Sequence, residues 1–221
     1  GTKWVFLMRT ILVTDIFGEN NWTDNLIASW RLGSGSEYQF EVISPYNHRT
    51  SFECESDAYQ AFVEAGGMEA LIEKLSTHLR RLAEEKVESV TLVGFSAGAA
   101  AIWCLAAQSF DFKINHVIGF YPGQIRRYLD LAPNYPVSLF FPNEEAHFEL
   151  PAVIDELKGR PNCRLWQNEL PHGFVNPQSS HYHSKSSGTV LDWLRQALAL
   201  IKPDSFSALE PRQDLQYKER V

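Results

Sequence analysis

The chain has 221 residues, 44% hydrophobic and 21% charged, the balance of a globular domain long enough for a substantial core and unlike a disordered or fibrous chain. Its formal charge is −7 and no basic run is longer than Arg80-Arg81 or Arg126-Arg127, which argues against nucleic acid as a partner because phosphate binding needs clustered cations. Three cysteines, Cys54, Cys104 and Cys163, stand far apart without CxxC spacing, the pattern of reduced thiols in a cytoplasmic protein.

The stretch "KWVFLMRTILVTD" is apolar but carries Arg9 and closes on Asp15. It is too short for a membrane span or signal peptide and reads as a strand. "NWTDNLIASWRL" follows as a helix capped near its start by Asn or Thr, and "YQFEVISPY" as a strand stopped by Pro45. Residues 57 to 86 have helical periodicity with a break at Gly66-Gly67, the second part repeating Leu71, Leu75, Leu79 and Leu82 along one face.

Then come strand "SVTLVGF", helix "AGAAAIWCLAAQ", strand "INHVIGFYPG" and a short helix through "IRRYLDLA". Strand "PVSLFFPN", helix "LPAVIDELKG", strand "CRLWQNEL" and a long helix "TVLDWLRQALALI" complete the series before Pro203. Apolar strands alternating with helices imply an α/β fold, a mostly parallel central sheet covered by helices on both faces. No repeat or linker divides residues 1–202, which read as one domain; residues 203–221 are polar and read as a loosely attached tail. The final helix is as well explained by core packing as by an interface, so monomer and homodimer both stand.

Gly94-Phe95-Ser96-Ala97-Gly98 fits Gly-x-Ser-x-Gly between a strand and a helix, the nucleophile elbow. A serine at so sharp a turn is held in strained backbone geometry, and the glycines on either side remove side chains that would clash. Its hydroxyl then projects over the C-terminal edge of the sheet beside the free N–H groups of a helix N-terminus.

A serine hydroxyl needs a base. Of the 7 histidines only His172, in "LPHGFVNP", follows the last expected strand and precedes the last helix. His78 lies in a charged helical stretch and reads as solvated. The orienting carboxylate should follow "PVSLFFPN", where Glu144 and Glu145 are both in reach; Glu145 is favoured. One oxyanion donor is the N–H of Ala97, the residue after the serine; the other should come from "TDIFGEN", from Ile16 or Phe17. Asp15 is an acid at a strand end facing the site, with a helix or loop cap as its plain alternative. Trp22, Tyr46, Tyr121, Phe174 and His181 lie in loops expected at the pocket, and Arg49 is a candidate for a substrate carboxylate. No long lid insertion is visible, which disfavours a lipase acting at an interface.

"TDIFG", "GFSAG", "YPG" and "PHGF", in this order and at these separations, resemble the dienelactone hydrolase family from Thr10 to Ile201. That resemblance implies an α/β-hydrolase fold, here trimmed of the first strands of larger members. It also implies hydrolysis of esters or lactones without metal or organic cofactor, and Ile16 as the second oxyanion donor. The chain departs from the family's pattern in three places: Ser96 replaces the cysteine nucleophile of the name-giving enzymes, Asp15 stands where glutamate is common, and Ala146 occupies the column of the triad aspartate.

The expected function is a cytoplasmic serine hydrolase of small to medium carboxylic esters, thioesters or lactones, with no nucleic acid or membrane partner. Ser96 attacks, His172 shuttles the proton, and Glu145 or Glu144 orients it. Asp15, Phe17, Tyr121, Phe174 and Arg49 are the substrate-side candidates. The alternative, prompted by Ala146, is a binding protein on the same fold with an incomplete triad.

Overall fold

A computed structural model of the chain describes residues 8–202 and 209–221. In chain order the elements are β1 (Met8–Val13), α1 (Asn21–Leu32), β2 (Tyr38–Ile43), α2 (Glu55–Glu64), α3 (Gly67–Glu84), β3 (Ser89–Phe95) and α4 (Ala97–Ala106). They continue with β4 (Lys113–Phe120), β5 (Val137–Phe141), α5 (Leu150–Leu157), β6 (Cys163–Gln167), α6 (Ser184–Leu200) and β7 (Lys218–Glu219). The 7-stranded sheet has the order β2-β1-β3-β4-β5-β6-β7, parallel throughout except for the last pair.

Both faces of the sheet are covered, and the strands are buried accordingly. In β1, Ile11 and Val13 enter the core formed with α3, α4 and α5, whereas Leu12 enters the core formed with α1 and α6. That alternation is the period of two expected of a pleated strand. Local signals set the helix ends. Asn20 caps α1 by accepting from the N–H groups of Trp22 and Thr23, and Thr23 answers with its hydroxyl. Gly66 and Gly67, with φ of 104° and 64°, separate α2 from α3.

Across the C-terminal halves of the strands runs a ladder of stacked rings: Phe95 on Phe120, Phe120 on Phe140, and Phe140 on Trp166, with centroids 5.1, 4.9 and 6.4 Å apart. Trp193 of α6 and Tyr217 meet Phe140 edge-on. Each such pair adds about 0.5–1.5 kcal/mol beyond its burial, so the strand ends that carry the site rest on a stiff layer.

Two expectations need correction. The short helix after β4 is a 3-10 turn over Gly123–Arg127 and stops before Tyr128. Residues 209–221 are no loose tail: Leu209 and Leu215 are buried, Trp193 donates its indole N–H to the Glu210 carbonyl at 3.1 Å, and β7 adds an antiparallel edge strand to β6. Arg164 locks that strand by donating Nε–H to Glu219 at 2.9 Å. Sparse apolar residues in a polar segment leave no periodic trace, which is why the sequence reads as tail; residues 203–208 lie outside the described set. Among the described residues no helix is long and apolar enough to cross a membrane.

Candidate active site

Strand β1 has β2 on one side and β3 on the other, so the chain reverses its direction of strand addition there, the place where open α/β sheets bind ligands. The elbow stands at the end of β3. Ser96 has φ 54° and ψ −114°, a left-handed conformation that costs a non-glycine residue about 1–3 kcal/mol. Its N–H donates to the Phe120 carbonyl at 2.9 Å and its carbonyl accepts from Ala100 at 3.1 Å, which holds the strained turn in place. A Cβ on Gly94 would lie 2.6 Å from the Gly98 backbone, and one on Gly98 would lie 2.1 Å from the Val13 carbonyl oxygen and 2.5 Å from that of Thr14. Both glycines are therefore required, and the second lets the end of β1 press directly against the elbow.

His172 arrives from the segment after β6. Gly173, at φ 89°, turns the chain there, and a Cβ on it would strike the Ser179 hydroxyl. The Ser96 hydroxyl oxygen lies 2.9 Å from His172 Nε2, and His172 Nδ1 lies 2.7 Å from Glu145 Oε1. An ionised carboxylate only accepts, so Nδ1 carries the proton and Nε2 presents its lone pair to the serine. The Glu145 side chain is 10% exposed against 32% for His172, so the hydrogen bond between them is shielded on its acidic side. The Tyr121 ring packs 4.8 Å from the imidazole, and Gly123 sits so close that a Cβ there would lie 3.4 Å from His172 Cε1.

The segment after β1 closes the other side. The Phe17 N–H donates to Asp15 Oδ1 at 2.9 Å, and the Gly18 N–H to the Asp15 carbonyl at 3.1 Å. Tyr46 donates its hydroxyl to the Ile16 carbonyl at 2.5 Å, and Thr50 donates to the Phe17 carbonyl at 2.6 Å. The N–H groups of Ile16 and Ala97 are bonded to no other group among the described residues. Of the two candidates in "TDIFGEN", Ile16 is thus the one with a free donor. Asp15 is buried, its Oδ2 accepting from Asn176 Nδ2 at 2.8 Å. Burial pushes its carboxyl up to about 6, opposed by the bonds from Asn176 and Phe17 and by the nearby His172.

Asp15, Ile16, Ser96, Ala97, Glu145 and His172 line a cavity of about 880 Å³ that also includes Glu55, Ser56, Tyr59, Gln124, Arg126 and His181. Glu144 lies on its wall but is exposed and makes no bond to His172. Although position 146 is alanine, His172 does not lack a carboxylate, which removes the observation behind the incomplete-triad alternative. Two of the substrate-side candidates, Arg49 and Phe174, are placed elsewhere. Arg49 lies outside the cavity and is paired with Asp24 at 2.7 Å, because the chain after β2 returns beside the first turn of α1. Phe174 is a core residue 6.0 Å from Tyr121. Tyr121 lines the wall, but its ring serves as the backing of the imidazole, and burial raises its phenol far above the ordinary value, so it stays protonated. Phe17 lines the cavity; Trp22 packs on Phe95, and Tyr46 supports Ile16.

Sequence reasoning missed the wall contributed by α2, for which no local signal exists, and Asn176. Gly123 had a signal, the glycine of "YPG" directly after a strand. Among the described residues no group of three or more His, Cys, Asp or Glu side chains is arranged to hold a metal ion.

The model of the Dienelactone hydrolase family matches residues 7–198. A curated relative, the uncharacterized protein YczH of Bacillus subtilis (strain 168), is 31% identical over 96 residues, 42% of this chain and 46% of the relative, so the chain spans less than half the length of that relative. Among solved structures, a dienelactone hydrolase-like promiscuous phosphotriesterase from metagenomic libraries superposes with TM-score 0.57 at 14% identity, covering 87% of this chain and 86% of the other. LipS and LipT, metagenome-derived lipolytic enzymes, are represented by a chain with TM-score 0.56 at 12% identity, covering 87% and 93%. At such identities these neighbours report the fold, the α/β-hydrolase fold. With the family matched over most of its length, this chain belongs to the dienelactone hydrolase family.

Proposed function

We propose that the chain is a serine hydrolase that cleaves carboxylic esters, thioesters or lactones of small to medium size through an acyl-Ser96 intermediate. The observation that carries this reading is the unbroken relay from the Ser96 hydroxyl to His172 at 2.9 Å and on to Glu145 at 2.7 Å, opening on the cavity. As Ser96 Oγ attacks the carbonyl carbon, its proton passes to His172 Nε2 and the imidazolium is stabilised by Glu145. The developing oxyanion accepts from the N–H groups of Ile16 and Ala97. Collapse expels the alcohol or thiol, which takes the proton from His172. Water then attacks the acyl-serine by the same relay in reverse, giving the acid and regenerating Ser96.

A cavity of about 880 Å³ falls within the range of sites for small ligands and supports a substrate of that size. All the relay and donor groups come from one chain, so a monomer suffices and a homodimer would carry two independent sites. None of the three cysteines is disulfide-bonded, which supports a reducing, cytoplasmic setting. The test is steady-state hydrolysis of short p-nitrophenyl esters, thioesters and lactones. Wild type should turn over at least one class, and Ser96→Ala should lose about 10⁴-fold or more in kcat. Equal turnover by the two proteins would overturn the reading.

A further inference from the structure

Between β1 and α1, the carbonyls of Asp15, Ile16 and Phe17 are all hydrogen-bonded. The Asp15 carbonyl accepts from the Thr14 hydroxyl and the Gly18 N–H, the Ile16 carbonyl from Tyr46, and the Phe17 carbonyl from Thr50. The Phe17 N–H is taken by the Asp15 carboxylate. The Ile16 N–H has no partner among the described residues, and Ile16 lines the cavity together with Ser96 and Ala97. Most of these partners are fixed main-chain groups or hydroxyls, but the Asp15 side chain does two things at once. One oxygen closes the turn over Ile16, and the other holds Asn176, four residues beyond His172 on the opposite wall. Asn176 is fixed in turn, because its own oxygen accepts the Gln178 N–H at 2.9 Å.

From this we propose that Asp15 is a positioning residue and not a substrate-binding one: its carboxylate aims the Ile16 N–H at the oxyanion and ties the oxyanion turn to the segment that carries the base. The proposal rests on the serine-hydrolase reading above. Each carboxylate oxygen already accepts a bond from within the protein and the side chain is buried, which supports an internal role over contact with a substrate. Asp15 never touches the reacting atoms; it acts through Ile16 and through the spacing of the two walls. A hydrogen-bond donor aimed at the oxyanion rather than at the substrate carbonyl changes kcat more than KM.

The chemistry dictates an unusual test. An amide at position 15 can accept from Phe17 with its oxygen, but its NH2 then faces the NH2 of Asn176, donor against donor. Asn176 cannot flip without surrendering the Gln178 bond. Asp15→Asn therefore loses one of the two ties, and Asn176→Asp alone places two carboxylates face to face. In the exchange Asp15→Asn/Asn176→Asp every donor meets an acceptor again, with the carboxylate moved to the other side.

Turnover of a short ester, KM and melting temperature should be measured for wild type, both single variants, the exchange and Ser96→Ala. Asp15→Asn should lose about 10- to 100-fold in kcat with KM within about threefold of wild type. The exchange should return kcat to within about fivefold. A folded Asp15→Asn protein with wild-type kcat, or a folded exchange variant as slow as the singles, would overturn the proposal. If Asp15→Asn does not fold, the exchange decides: folded and fast supports the proposal, while folded and slow, or unfolded, overturns it and leaves Asp15 a structural residue. Turnover retained in Ser96→Ala would remove the underlying reading; loss there with wild-type rates in Asp15→Asn removes only this proposal.

Discussion

The segments after β1 and after β5 both end at the cavity, and they are built in opposite ways. After β1 the carbonyls of Asp15, Ile16 and Phe17 are all bonded, Phe17 is 4% exposed, and the Ile16 N–H has no partner among the described residues. After β5, Asn143, Glu144, Ala146 and His147 are all exposed, and the segment meets the site through Glu145. On the proposed mechanism the first region holds a neutral N–H against a charge that exists only in the transition state, and its bonded carbonyls restrain that turn. The second brings a carboxylate to an imidazole, and the charge-assisted hydrogen bond between Glu145 and His172 itself helps fix the segment.

The largest effect that would sharpen this contrast is in the exposed region. Glu145→Gln should lower kcat by about 10³- to 10⁴-fold, since the amide no longer fixes the imidazole tautomer or stabilises its charge. Comparable losses in Glu144→Gln and Glu145→Gln, measured by the same ester assay, would contradict the assignment. Next in size is the contact that supports the buried region. In Gly98→Ala the new methyl meets backbone oxygens of Val13 and Thr14, which cannot turn aside, and stability should fall by about 3 kcal/mol or more in urea unfolding. Wild-type stability in that variant would mean that the turn after β1 is more yielding than described.

A third difference is read in pH. The Asp15 carboxyl sits at about 6 in the folded chain against 3.8 when unperturbed, so the folded state binds the extra proton between those values. Its stabilising contribution is present below about pH 4 and is lost as pH rises through about 6, a change of about 3 kcal/mol. The stability of wild type relative to Asp15→Asn should therefore fall over that window, and a flat difference would contradict the burial of a titrating carboxyl. His116, bonded to Ser138 at 2.8 Å, runs the other way: burial lowers it from 6.5 to about 4, so its contribution is lost as pH falls through that range. The smallest effects belong to open positions. Gly188→Ala in α6, with nothing within 4 Å of the new methyl, should stabilise by about 0.5–1 kcal/mol, and Glu144→Gln should leave kcat within about twofold.

The same contrast explains what the sequence disclosed. Ser96 and His172 were legible because each needs glycines at fixed offsets, and Gly94, Gly98 and Gly173 all stand where a Cβ would collide. Strands β1–β6 and the α-helices were legible from periodicity, down to the break at Gly66-Gly67, whereas β7 was not. The carboxylate beside His172 was legible only as a pair of adjacent glutamates with Glu145 favoured, and Glu145 is the one that bonds the imidazole. Phe174 reads as a pocket aromatic because apolar rings suit a core and a cavity equally, whereas Tyr121 does line the cavity. Arg49 misled because its partner Asp24 is 25 residues away in sequence and only the return of the chain after β2 brings them together. Asp15 was visible as an acid at a strand end, but its meaning lay in Asn176, 161 residues on. Residues 209–221 dock through scattered contacts, Leu209, Leu215 and Tyr217, which no period announces.

The most direct test of the central claim is intact-mass labelling with a fluorophosphonate, which phosphonylates a serine only when a base and an oxyanion hole activate it. Wild type should gain one adduct per chain, and Ser96→Ala, equally folded, should gain none. A folded wild type that takes up no adduct, or a variant that is labelled as readily, would contradict the assignment of Ser96 as the nucleophile.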